Sequence, residues 1–361
     1  MKAVVLNAYR RSNSGDGLLV DETVGLLNEA FPGISITLVS MEPSSFPEYG
    51  PGLHPIAGTH EKMLPASLLA RLLTARPHPA VTAAIEGADV AVAVGGGYIR
   101  ADHPSAAAKS FLSHMVQAPS RSTRTPYVYL PQSIGPLPPR FIPFGAARLS
   151  RARAVFVRDD RSHAELSARG IATVRMPDLA AISIGTSPLT PKPSGLSTRT
   201  ALIARSLSGG EAGYRSRLTA LMEILGPEIL VQSSGAGNDD RAFYRTQGWG
   251  SSHRKTLDAL LSEQHPVVVT SVRLHGALQS ILAGIPAVHL SYERKGWGAY
   301  EDLGIAQYVH NARSFDPALV ANQVRDLTVD ASAYWEAIFD RRPALARARD
   351  EILATLRSSV R

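Results

Sequence analysis

Short apolar, β-branched runs alternate with stretches long enough for amphipathic helices along this chain, and that rhythm restricts the fold more than any other feature of the sequence. In the first half the runs are 3–7, 34–39, 89–94, 127–131 and 154–157. Apart from 34–39, which carries Ser35 and Thr37, they read as nearly continuous apolar runs rather than alternating ones, which is the pattern of a parallel sheet covered by helices on both faces. Most of these runs end at or give way to Gly, Asn, Pro or a charged residue, where a loop begins. Ligands of such sheets bind at these carboxyl ends.

Between Gly185 and Thr200 three prolines fall in a short window rich in Ser and Thr, the composition of an extended connection. The rhythm then restarts with runs at 200–204, 228–232, 266–270 and 286–290, separated by helical stretches such as 214–225 and 254–263. The expected fold class is therefore α/β, two Rossmann-like parallel-sheet domains facing a cleft: 1–185, a linker at 186–199, a second domain at 200–330, and a C-terminal helix within 331–361. In that helix Trp335, Ile338, Phe339, Leu345, Ile352, Leu353 and Leu356 recur at helical spacing, so one face should pack down, with a break or kink at Pro343. Arg341, Arg342, Arg347 and Arg349 are expected to face outward as a solvated basic surface in preference to a membrane-docking one.

The 361 residues are 44% hydrophobic and 19% charged, a balance that excludes disorder and low-complexity classes. No cysteine is present, which removes disulfides, thiolate metal sites and a Cys nucleophile together. The net charge of +7 favours an anionic partner: a phosphorylated metabolite, nucleic acid or an acidic membrane face. Aromatics amount to only 6% and do not interleave with the basic residues, so nucleic acid is disfavoured. After Lys2 only four apolar residues precede Asn7, too few for a signal peptide, and no apolar run approaches the ~20 residues of a membrane span. A cytoplasmic protein is expected, with peripheral contact at the inner membrane face left open.

The most informative segment is Thr270-Ser-Val-Arg-Leu-His-Gly276 and the helix that follows it. Arg273 would leave a buried strand at its carboxyl end, where a guanidinium makes an anion clamp for carboxylate or phosphate. His275 falls in the first turn of the next helix and is the leading acid/base candidate. The plainer alternatives are an arginine paired with a nearby Asp and a core histidine bonded to a backbone carbonyl.

Other strand ends add weaker candidates for substrate binding. Asn13, Gly15 and Asp16 lie in the loop after the first strand, where backbone N–H groups suit an anion or sugar hydroxyls and Asp16 is alternatively a helix cap. Gly95, Gly96 and Gly97 follow the third strand and permit close approach of a ligand, or simply tight packing. Gln132 and Ser133, read as the tip of the next strand, suit a polyhydroxylated substrate or a turn. Arg158 ends the following strand, an anion contact or the partner of a surface carboxylate, with Asp159 or Asp160 capping the helix. Lys295 offers a point charge to phosphate, or is an ordinary surface lysine. Phosphate-loop, dinucleotide, zincin and hydrolase-elbow spacings are all missing, and the eleven histidines form no short cluster with carboxylates, so no catalytic metal is implied.

In order, Asn13-Ser-Gly-Asp16, Gly95-Gly-Gly97, Gln132-Ser-Ile-Gly-Pro136, Arg158-Asp-Asp-Arg-Ser162, Pro177-Asp178, Arg273-Leu-His-Gly276, Gly284-Ile-Pro286 and Ser291-Tyr-Glu-Arg-Lys295 resemble the polysaccharide pyruvyl transferase family across residues 7 to 305. The resemblance implies a glycosyltransferase-B-like fold with the acceptor on the N-terminal side and phosphoenolpyruvate on the C-terminal side. It implies transfer of pyruvate from phosphoenolpyruvate, a co-substrate with no further cofactor, to a glycan or to a lipid- or nucleotide-linked sugar as a cyclic ketal. That is a step in making exopolysaccharide or cell wall. Arg158, Arg273 and His275 carry over as donor-binding and catalytic residues. Two other readings remain open from the residues alone: a nucleotide-sugar glycosyltransferase of the two-domain type, and a non-catalytic glycan or phosphometabolite binding protein.

Overall fold

The structure is a computed structural model and describes residues 1–55, 78–99, 110, 114, 117, 118, 123–136, 142–195, 199–207, 211–235, 238–250, 254–263 and 265–360. The chain divides into two compact units, one made of Met1–Arg11, Asp16–Leu179 and Ala348–Arg361, the other of Ser12–Gly15 and Ala180–Arg347.

In the first unit β1 (Lys2–Ala8), β2 (Ser35–Ser40), β3 (Val90–Ala93), β5 (Tyr127–Ile134), β6 (Ala154–Val157) and β7 (Val174–Arg175) form a parallel sheet in the order β2-β1-β3-β5-β6-β7, with β4 (Gly96–Ile99) paired to β5. Val5 lies between Leu38 on one side and Val92 on the other. Both faces of β1 are buried after Lys2, which is why residues 3–6 are continuously apolar. Helix α1 (Ser14–Ala30) buries Leu19, Val20, Thr23, Val24 and Leu27, a stripe at helical spacing.

Two strand readings change here. The strand predicted at 127–131 continues to Ile134, so Gln132 and Ser133 are sheet residues and not a loop tip. The triple glycine leads straight into β4, where Gly96 has φ +147°, a conformation that favours glycine. Shorter helices follow: α2 (Pro79–Glu86), α3 (Ile142–Leu149), α4 (Asp160–Ser167) and α5 (Leu179–Thr186).

In the second unit β8 (Arg199–Ile203), β9 (Glu228–Ile229), β12 (Val267–Ser271), β13 (Ala287–Ser291) and β14 (Val309–Asn311) form a parallel sheet in the order β14-β13-β12-β8-β9. A small antiparallel pair, β10 (Ser234–Gly235) and β11 (Asn238–Asp239), stands apart. Val269 lies between Ala287 and Ala201, so β12 is the buried centre. The helices are α6 (Glu211–Leu225), α7 (Asp240–Thr246), α8 (Leu257–Leu261), α9 (Leu274–Leu282), α10 (Arg294–Asp302), α11 (Pro317–Val329) and α12 (Ser332–Ser359). The strand predicted at 228–232 stops at Ile229, and Val231 makes an isolated bridge to Thr256 instead.

Helix α12 runs unbroken through Pro343, against the expected break. Pro343 is exposed, and its ring removes one backbone hydrogen bond without ending the helix. The arginines of α12 also differ from expectation. Arg341 and Arg347 are exposed, but Arg342 donates to the carbonyls of Gly185 (3.0 Å) and Ser187 (2.9 Å), and Arg349 pairs with Glu29 at 2.5 Å. Where the sequence placed a linker at 186–199 and a separate C-terminal helix, the division between units falls at Leu179/Ala180, and α12 is shared, its last turns from Ala348 belonging to the first unit.

Candidate functional site

The first unit gathers Asp16, Tyr98, Gln132, Ser133 and Arg158. Arg158 follows β6, is only 2% exposed, donates from Nε to Ser133 Oγ (3.1 Å) and forms an ion pair through Nη1 with buried Asp178. Its partner is therefore neither Asp159 nor Asp160. Asp159 caps α4 by accepting from the Ser162 N–H at 2.9 Å. Arg158 Nη2 has no hydrogen bond among the described residues. Gln132 is completely buried, and neither end of its amide has a partner among them. Each such orphaned group costs about 1–3 kcal/mol, which a bound polar group would offset.

Asp16 is not the cap of α1 but sits within its first turn, buried, accepting from the Tyr98 hydroxyl at 2.5 Å. Burial, and then the neighbouring Asp16 carboxylate, push the Tyr98 phenol well above its ordinary range, so it stays a donor. The Tyr98 ring stacks on Tyr9 (5.9 Å) and on His114 (5.2 Å), which also touch each other (6.5 Å). At Gly95 a Cβ would meet the Pro131 carbonyl at 2.8 Å, and at Gly96 the Tyr98 ring at 2.3 Å, so close packing accounts for both. Gly97 is partly buried in β4 beside them.

In the second unit the carboxyl ends of β8, β12 and β13, adjacent in the sheet, carry Arg205, Arg273 and Tyr292 to Lys295. Arg273 is the N-cap residue of α9 and is 6% exposed. Its Nε and Nη2 both donate to Asp240. Asp240 is fully buried and also accepts from the Gln232 and Ser233 N–H groups at 2.9 Å each. Burial opposes the Arg273 charge, but Asp240 outweighs it and holds the guanidinium above its ordinary value.

His275 lies in the first turn of α9, half-buried. Gly15, in the segment of the N-terminal loop that belongs to this unit, packs on its ring, for a Cβ there would meet His275 Cβ at 2.5 Å and Nδ1 at 2.9 Å. The loop is pinned to α9: Ser14 Oγ donates to Gln279 Oε1 (2.9 Å), Gln279 Nε2 donates to the Ser14 carbonyl (3.2 Å), and Asn13 bridges to Ser233. Asn13 and Gly15 thus come together with Arg273 and His275. Lys295, in the first turn of α10, is a part-buried ion pair with Glu293 at 2.7 Å and not a free surface lysine.

The buried histidine bonded to a carbonyl exists, but it is His289. Its Nδ1 donates to the Ser271 carbonyl (2.8 Å), its ring stacks on Tyr300 (5.6 Å), and burial foremost lowers it to about 4, so it stays neutral. Sequence reasoning also missed Asp240, which nothing in its local sequence distinguishes, and Arg205, which the strand-end rule applied to the run at 200–204 would have found. Among the described residues no group of three His, Asp or Glu side chains is placed to hold a metal ion.

The family model for polysaccharide pyruvyl transferase matches residues 13–294. No curated protein matches the chain. Among solved structures it is similar to a UDP-N-acetylglucosamine 2-epimerase from Rickettsia bellii, with TM-score 0.56, 12% identity, and 100% of this chain and 97% of that one covered. A structure from Listeria monocytogenes described by the same activity gives TM-score 0.58 at 12% identity, with 99% and 96% covered. A spinosyn rhamnosyltransferase complexed with thymidine diphosphate gives TM-score 0.45 at 11% identity, with 99% of both chains covered. The fold is thus α/β of the glycosyltransferase-B-like class, two parallel-sheet domains.

Proposed function

Because the chain belongs to the polysaccharide pyruvyl transferase family, we propose that it moves pyruvate from phosphoenolpyruvate onto a sugar of a polysaccharide or glycan precursor as a cyclic ketal. The observation that carries this reading is the arrangement at the head of α9: a guanidinium locked by a buried carboxylate, two residues before an imidazole against which a glycine loop is packed. Phosphoenolpyruvate brings a carboxylate and a phosphate, and Arg273 and Lys295 of the second unit are the cations assigned to it. Asn13, Gly15, Asp16, Gly97, Gln132 and Ser133 are assigned to substrate contacts, with the acceptor on the side of the first unit.

In the reaction the His275 imidazolium gives a proton to the enol methylene, C3, and C2 becomes cationic. A sugar hydroxyl oxygen bonds to C2 and returns its proton to His275. The bond from C2 to the phosphate oxygen then breaks, a second hydroxyl closes the ketal, and its proton leaves with the phosphate. Proton count and charge balance without a metal or redox cofactor. No helix among the described residues is long and apolar enough to cross a membrane. The reading puts the protein in the cytoplasm, at the inner membrane face where the acceptor is lipid-linked.

The test is phosphate release from phosphoenolpyruvate over a panel of nucleotide- and lipid-linked sugars. Release with at least one acceptor is expected, and replacement of His275 by Ala should abolish it while leaving donor binding. Turnover of a sugar nucleotide with none of phosphoenolpyruvate would decide for a glycosyltransferase, and saturable binding without phosphate release for a binding protein.

A further inference from the structure

The cations that sequence reasoning selected are all matched by carboxylates: Arg158 by Asp178, Arg273 by Asp240 and Lys295 by Glu293. Such pairs fix geometry but bring little net charge to a multiply charged anion. Arg205 differs, having no ion pair among the described residues.

Its place is built. Arg205 stands just past β8, and its carbonyl accepts from the buried Tyr214 hydroxyl at 2.9 Å. The preceding Ala204 N–H donates to the Tyr244 hydroxyl at 3.0 Å. The guanidinium reaches across the end of β12 to Tyr292, beyond β13, donating from Nη1 to the phenol oxygen at 2.8 Å with its carbon 5.2 Å from the ring centroid. Arg205 Nη2 makes no hydrogen bond among the described residues, and the Tyr292 hydroxyl, having accepted, still has its proton to give.

We propose that Arg205 and Tyr292 form the phosphate subsite of the second unit, the guanidinium and the phenol donating to oxygens of the phosphoryl group. The proposal rests on the pyruvyl-transfer reading for the identity of the phosphorylated substrate, while the subsite itself rests on the geometry. With Nε donating to the Ser206 carbonyl (3.2 Å) and Nη1 to Tyr292, Nη2 is left for the phosphate, whose charge the guanidinium opposes.

The test is calorimetric titration of the full chain, as wild type, Arg205→Ala, Arg205→Lys and Tyr292→Phe, with inorganic phosphate, phosphoenolpyruvate and pyruvate. Arg205→Ala should weaken phosphate and phosphoenolpyruvate by about ten- to a hundredfold and leave pyruvate unchanged. Arg205→Lys, which keeps the charge and loses the fork, should fall between and serves where the alanine variant does not fold. Tyr292→Phe should cost roughly three- to tenfold on the phosphorylated ligands alone. Arg205 variants that bind both phosphorylated ligands within about twofold of wild type overturn the subsite and leave the reading of the reaction standing. Arg205-dependent binding of phosphate without binding of phosphoenolpyruvate does the reverse. A wild-type protein that binds neither overturns the subsite.

Discussion

Arg158 and Asp178 are both nearly inaccessible, so removing the carboxylate strands a guanidinium in the interior. Asp178→Ala should therefore lower unfolding free energy by about 3–5 kcal/mol, read by denaturant titration. Loss of under about 1 kcal/mol would mean that the pair is far better hydrated than its burial implies. Gly15→Ala addresses the other unit. The new methyl must displace the His275 ring, so kcat for phosphate release should drop about tenfold or more with little change in KM for phosphoenolpyruvate. An unchanged kcat would remove the packed imidazole from the mechanism.

His289 makes a pH prediction with a definite sign. Burial holds its folded value near 4, against 6.5 unperturbed, so between those values the unfolded chain binds more protons. Its contribution is constant above about pH 7 and is lost progressively as pH falls toward 4, up to roughly 3 kcal/mol. His289→Gln, which keeps a donor for the Ser271 carbonyl, should flatten the difference in unfolding free energy between pH 7 and pH 5; equal slopes in both proteins would contradict it.

At the scale of elements, α12 shows how burial overrides local signals. Pro343 lies inside the helix on its exposed side, where its ring removes a backbone bond. Pro343→Ala should raise stability by about 1–3 kcal/mol without changing activity, measured by thermal melting and phosphate release. Arg342, by contrast, holds the carbonyls of Gly185 and Ser187 at the end of α5, and at Gly185 a Cβ would meet Leu345 at 2.4 Å. A charged residue on a helix reads as solvated in the sequence, and only its partner 155 residues away shows that it caps another element. The strands were more legible. β6 spans the residues that its apolar run marked, and the other central strands sit within one residue of theirs, apart from β5, whose last residues, polar Gln132 and Ser133, are buried by neighbours that no local pattern reveals.

For the whole molecule, the last turns of α12 belong to the first unit, where Ile352, Leu353 and Leu356 are buried. At about 1.5–3 kcal/mol for each buried side chain, truncation after Arg347 should destabilise that unit by several kcal/mol. Limited proteolysis should then cut within Asp16–Leu179 sooner than within Ala180–Arg347, and equal protection of the two would count against the assignment.

Alternating apolar runs and helical stretches determined the class of fold, because strand and helix periodicities are local and both faces of a parallel sheet must be covered. Strand ends likewise marked Arg158, Arg273 and His275, since a loop must begin where a buried run stops. What tertiary structure alone decided was pairing. Asp178 and Asp240 lie 20 and 33 residues from the arginines they neutralise, and Ser12–Gly15 joins residues far along the chain. Ion pairing and burial depend on distance in space, which separation along a sequence does not encode, so the carboxylates that Arg158 and Arg273 meet were decided by the fold.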